Sequence, residues 1–170
     1  MYSDYVARHS LHKIGVGGIC LRDGEILVVK NTYGVSKGKW TLPGGYVELG
    51  ETLSNSIERE VFEETGIETR AVNILALRHM VNEKKDRGLI SDLYVVFNLE
   101  YISGNPTSGS DEISDTRFID FNKVSKQEIS GLSRYIIKNL LSSKDLSLQT
   151  YEPEENIIST LNIHEYQLFG

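Results

Sequence analysis

The chain has 170 residues, 39% hydrophobic and 25% charged, the balance of one globular domain with a core of its own. Its formal net charge of −6 argues against general affinity for nucleic-acid phosphates or an anionic membrane surface, both of which draw on clustered Lys and Arg. No run approaches the ~20 apolar residues of a membrane span, the N-terminus lacks the apolar centre of a signal peptide, and Cys20, the single cysteine, excludes an intramolecular disulfide, so a cytoplasmic protein is expected.

His12–Leu21 and Glu25–Lys30 are apolar enough for central strands, and Arg22-Asp23-Gly24 between them reads as a hairpin turn. Asn31–Lys39 is a polar, glycine-bearing loop leading to Trp40-Thr41-Leu42, after which Pro43-Gly44-Gly45 predicts irregular backbone. A helix is expected from a cap at Thr52 or Ser54 to about Thr65, where Gly66 supplies the stop. Leu53, Ile57 and Val61 recur at i+4 and mark its core face. Strands follow at Ala71–Met80, with a break allowed, and at Ser91–Glu100 and Thr116–Asp120, the last two separated by the loop Gly104–Ser110. A second helix is expected over Ser125–Leu141, with Leu132, Ile136 and Leu140 as its apolar stripe. Strands and helices thus interleave in one α/β domain, residues 1–141. Residues 142–170 show no clear periodicity, yet Tyr151, Ile157, Leu161, Tyr166 and Phe169 are among too many apolar residues for a disordered tail. They are expected to pack on the same domain or on a partner subunit, as a homodimer would allow.

In the first helix Glu60, Glu63 and Glu64 stand at i, i+3 and i+4, three carboxylates on one face. Such neighbours repel by ~0.2–0.5 kcal/mol per pair, and no Lys or Arg stands one turn on to neutralise them. A hard divalent ion with oxygen ligands, Mg²⁺ or Mn²⁺, would remove that penalty. A run of Glu is more often a solvated face, so the spacing alone does not decide. The flanking residues do. Gly45, Glu51, Arg59, Glu60, Val61, Glu63, Glu64, Gly66 and Ile67 meet every defined position of the pattern Gly-x5-Glu-x7-Arg-Glu-aliphatic-x-Glu-Glu-x-Gly-aliphatic. The stretch resembles the Nudix box.

The resemblance covers about Lys13 to Leu141 and implies an α/β/α sandwich around a mixed β-sheet. It also implies a metal-dependent pyrophosphohydrolase cleaving a nucleoside diphosphate linked to another group, such as an ADP-sugar. Glu60, Glu63 and Glu64 are the implied Mg²⁺ ligands, Glu51 supports or joins them, and Arg59 orients a carboxylate of the catalytic set; the carbonyl of Gly44 is a further candidate ligand. Glu112, on the loop before Thr116-Arg117-Phe118-Ile119, is the candidate general base, against the plainer reading of an acidic solvated loop. Arg78, His79 and Asn82 are candidates for contacting phosphate or base, and Tyr33, Trp40 and Tyr94 for stacking on a nucleobase. Trp40 and Tyr94 read more simply as core aromatics and His79 as structural. The expected partner is a small nucleotide. The alternatives are a housecleaning hydrolase of oxidised or non-standard nucleoside triphosphates and a non-catalytic nucleotide sensor.

Overall fold

Asp23 and Gly24 adopt φ of 53° and 81°, the left-handed pair that a two-residue hairpin turn requires, and Arg22 faces Glu25 across it. This turn joins β1 (His12–Arg22) to β2 (Glu25–Asn31) in a computed structural model that describes residues 12–84, 88–108, 111–120, 123, 128–140, 150–151 and 163–169. The other elements are β3 (Trp40–Thr41), β4 (Gly44–Tyr46), α1 (Leu53–Thr65), β5 (Glu68–Lys84), β6 (Gly88–Ser103), β7 (Ile113–Asp120), α2 (Gly131–Leu140), β8 (Thr150–Tyr151) and β9 (Ile163–Phe169).

The strands form one mixed sheet in the order β3-β2-β1-β6-β5-β9-β8, with β4 paired to β1 and β7 to β2. The β1–β6 pairing is parallel, and the others are antiparallel. Side-chain alternation along the central strands sends residues to two cores. On one face Val16, Cys20, Leu27, Val95, Phe97 and Leu99 close over Ile57 and Val61 of α1. On the other, Ile19, Ile26, Val28, Ala76 and Val96 meet Trp40, Leu42 and Ile136 and Ile137 of α2. A helix against each face makes the expected α/β/α sandwich, and it pins α1 beside β1 and β4. Among the described residues no helix is long and apolar enough to cross a membrane.

Several expectations need correction. Gly44 and Gly45 belong to a short strand, because their backbone pairs with Gly17 and Val16 of β1. The strand expected at Ala71–Met80, with a break allowed, is one unbroken 17-residue strand that absorbs its irregularity in register shifts against β6. Of the second helix, residues 125–127 and 141 lie outside the described residues. Glu128 to Ser130 are extended: Trp40 N–H donates to the Glu128 carbonyl and Ser130 N–H to that of Trp40, so β3 draws this segment out of helix. Ser130 accepts from Arg134 N–H at the start of α2. In the extension, residues 142–149, 152–162 and 170 lie outside the described residues, while β9 adds to β5 antiparallel from Leu77↔Phe169 to Asn82↔Ile163.

Candidate active site

Local sequence explains where the carboxylates stand. Thr52 caps α1 with its Oγ1, accepting from Asn55 N–H at 3.2 Å, and Gly66 ends it at φ 69° while its N–H donates to the Phe62 carbonyl. With Ile57 and Val61 locked into the core, Glu60 and Glu64 are turned toward β4. There the Gly44 N–H donates to Glu64 Oε2 at 2.8 Å. Gly44 lies at φ 147° with its backbone against Val16, and a Cβ on Gly45 would run into the Glu60 carboxyl. The two glycines let backbone and carboxylates approach this closely.

Arg59 changes the electrostatic picture drawn from spacing alone. Its Nε meets Glu51 Oε1 at 2.6 Å and its Nη2 meets Glu51 Oε2 at 3.1 Å, a two-pronged fork, while Nη1 lies 3.1 Å from both Glu60 Oε1 and Glu63 Oε2. The cluster is therefore not left without a cation, because an arginine one residue before Glu60 reaches three of its members. The hydrogen bond from Arg59 comes first in holding the Glu51 carboxyl down to about 2. Glu64 differs. Burial pushes its carboxyl up to about 8 against the relief given by the Gly44 N–H, and the charges of Glu60 and Glu112 add to the rise. Burial raises Glu60 as well, with Arg59 opposing.

This donor set suits a hard divalent cation: oxygen donors only, and a half-buried carboxylate, Glu64, whose ionised form has a backbone N–H but no ion pair among the described residues. Among those residues, no three His, Cys, Asp or Glu side chains already converge as a finished cage, since Arg59 gathers Glu51, Glu60 and Glu63 instead.

Glu112 sits at the mouth of β7, and its charge bears on Glu64. The Tyr33 hydroxyl donates to its Oε2 at 2.9 Å. Arg78 forms an ion pair with Asp92, both nearly buried, and its guanidinium lies 4.9 Å from the centre of the Tyr94 ring. Asn82, on the same sheet face, is buried with its Oδ1 unpartnered. His79 points to the α1 face beside Leu93, so Arg78 and His79 are separated by the sheet. Trp40 is 6% exposed within the α2-side core, and Arg117 and Lys30 lie over its ring. Tyr94 packs on that core over Gly15 and Gly17. Both belong to the α2-side core, each with a cation against its ring. Sequence reasoning missed Asp92 as the partner of Arg78 and missed the Tyr33–Glu112 contact. The first could have been sought among acids one strand away, but the second spans 79 residues and left no local signal.

The NUDIX domain family profile matches residues 11–140, and this chain belongs to that family. It is 34% identical over 113 residues to an ADP-ribose pyrophosphatase of Methanocaldococcus jannaschii, covering 66% of this chain and 64% of the relative. It is 30% identical over 122 residues to the human nucleoside diphosphate-linked moiety X motif 6, covering 71% of this chain and 38% of the relative. The chain thus spans less than two thirds of the length of either. Among solved structures it resembles a NUDIX hydrolase from Nitrosomonas europaea with a TM-score of 0.65 at 19% identity, covering 76% of this chain and 88% of that one, a likeness of fold.

Proposed function

We propose that this chain is a divalent-metal-dependent pyrophosphohydrolase of a nucleoside diphosphate derivative, with ADP-ribose or a related ADP-sugar as the first substrate class. The observation that carries the reading is the half-buried Glu64 carboxylate, set against the Gly44 backbone beside Glu60 and short of positive charge. The relative named an ADP-ribose pyrophosphatase supports the substrate class. Glu60, Glu63 and Glu64 would hold Mg²⁺ or Mn²⁺, with Glu51 and the Gly44 carbonyl beside them. Bound there, the ion supplies neutralisation of the phosphate oxygens and acidification of a coordinated water. Arg59 holds Glu51, Glu60 and Glu63 in fixed orientation through its fork. Glu112 takes the proton of the water whose oxygen adds to phosphorus, as the bridging P–O bond breaks toward the leaving phosphate. The lone buried Cys20 suits a reducing, cytoplasmic setting.

The test is product analysis with ADP-ribose, other nucleoside diphosphate derivatives and nucleoside triphosphates, under Mg²⁺, Mn²⁺ or chelator. The expected result is chelator-sensitive formation of two monophosphates, AMP and ribose 5-phosphate, from ADP-ribose. Glu63→Gln with Glu64→Gln should remove at least ~10³-fold of kcat while the far-ultraviolet circular dichroism stays native. Retained turnover would overturn the ligand assignment. Pyrophosphate release from triphosphates alone would move the substrate class to housecleaning hydrolysis, and tight nucleotide binding without turnover would make the domain a sensor.

A further inference from the structure

We infer that Tyr33 is the positioning residue of Glu112: its phenol fixes the carboxylate so that Oε1 faces the attacking water, and it does not serve as a stacking platform for the substrate. The inference rests on the reading of Glu112 as the base. Its ground is the way the β2–β3 loop is fastened to the turn before β7. The β2–β7 ladder shifts register between Lys30 and Asn31 and ends at Asn31↔Ile113, and Thr32 follows over Asp111 and Glu112. Thr32 N–H donates to the Glu112 carbonyl at 2.9 Å, and its Oγ1 lies 3.0 Å from the Asp111 carbonyl and 2.9 Å from that of Glu112. The loop is closed on itself by Gly38 N–H to Asn31 and Lys37 N–H to Gly34, with Gly34 and Gly38 at φ 69° and 74°. This frame holds the next residue, Tyr33, with its hydroxyl 2.9 Å from Glu112 Oε2.

Tyr33 is 56% exposed, so core packing does not account for its placement. Its phenol also feels the charges of Glu112 and Glu64 and lies near Tyr46, which sets it on the rim of the carboxylate cluster. An O–H donated to Oε2 restrains the rotation of the Glu112 carboxylate and fixes which oxygen faces away from Tyr33. Oε1 takes no hydrogen bond from a described residue and is the oxygen left for water.

The experiment compares the full chain with Tyr33→Phe, Glu112→Gln and the double variant. Turnover of ADP-ribose with Mg²⁺ is followed as kcat and KM, and tyrosinate absorbance is followed by ultraviolet difference titration. Tyr33→Phe should lower kcat about tenfold with KM within about twofold, and should add nothing to the loss caused by Glu112→Gln. Without turnover, the Tyr33 signal, taken as the difference between chains with and without its hydroxyl, should titrate at lower pH once Glu112 is Gln. A raised KM with kcat intact, an equal Tyr33→Phe loss in both backgrounds, or an unmoved Tyr33 titration would overturn the inference. Undiminished turnover in Glu112→Gln would instead overturn the base assignment and the inference with it. An impaired Glu112→Gln beside an unimpaired Tyr33→Phe would overturn the role of Tyr33 alone.

Discussion

Arg59 and Cys20 show how environment decides what a residue does. Arg59 spends its planar fork on Glu51, its Nη1 on Glu60 and Glu63 and a further Nη2 hydrogen bond on the Tyr46 carbonyl, which a lysine, with one ammonium, could not reproduce. Cys20 has the opposite setting: it is fully buried among the apolar residues under α1, and desolvation pushes its thiol from 9.0 up to about 11 while Arg22 opposes the rise. A folded value above the unfolded one favours folding below pH 9, and that contribution is lost as pH rises through 11. The thiolate is the nucleophile, so burial and the raised value both suppress reaction. At pH 8 the native chain should react with a thiol-specific disulfide reagent at least ~100-fold more slowly than in urea. Labelling of the native chain within the time taken by the unfolded one would show that Cys20 is not enclosed.

At the scale of elements, the carboxylate helix was legible because three local codes agree along it: a cap at Thr52, an i+4 apolar stripe and a left-handed glycine stop at Gly66. Of the two caps considered, the structure uses Thr52. Strand ends were less legible. β5 runs from Glu68 to Lys84 because β6 pairs with nearly its whole length, a partnership that its own composition does not announce. β1 shows the reverse, small residues whose purpose is a neighbour: a Cβ on Gly17 would meet the Tyr94 ring and one on Gly15 would press on its edge. Gly17→Ala should therefore destabilise the fold by ~1–3 kcal/mol, read as a lower urea midpoint with an unchanged slope. An unshifted midpoint would mean that Tyr94 moves aside freely.

At the scale of the whole molecule, charge is the governing quantity. Glu51, Glu60, Glu63, Glu64 and Glu112 share one neighbourhood in which Arg59 is the cation paired with the first three, within a chain of net charge −6. A cation bound by the folded state alone raises its stability by mass action, about 1.4 kcal/mol at ten times its dissociation constant, or ~3–6 °C in Tm for a chain of this size. Thermal melting followed by circular dichroism should show that rise with Mg²⁺ and lose it in Glu60→Gln with Glu64→Gln. The same shift persisting in that variant would place the ion elsewhere.

By itself the sequence determined the family, the α/β class, the hairpin of β1 and β2, and the helix that carries Glu60, Glu63 and Glu64, because each depends on spacing, turn chemistry or apolar period within a short stretch. The extent of β5, the addition of β9 to its edge and the extended backbone at Gly44 depend on a partner strand. Only the tertiary structure could bring Arg59 onto Glu51 while Gly44 met Glu64, draw Glu64 partly out of water without a countercharge, and set the Tyr33 hydroxyl on Glu112 across 79 residues. Those contacts are made between segments that the chain separates and the sheet brings together, and desolvation exists only once that packing is complete.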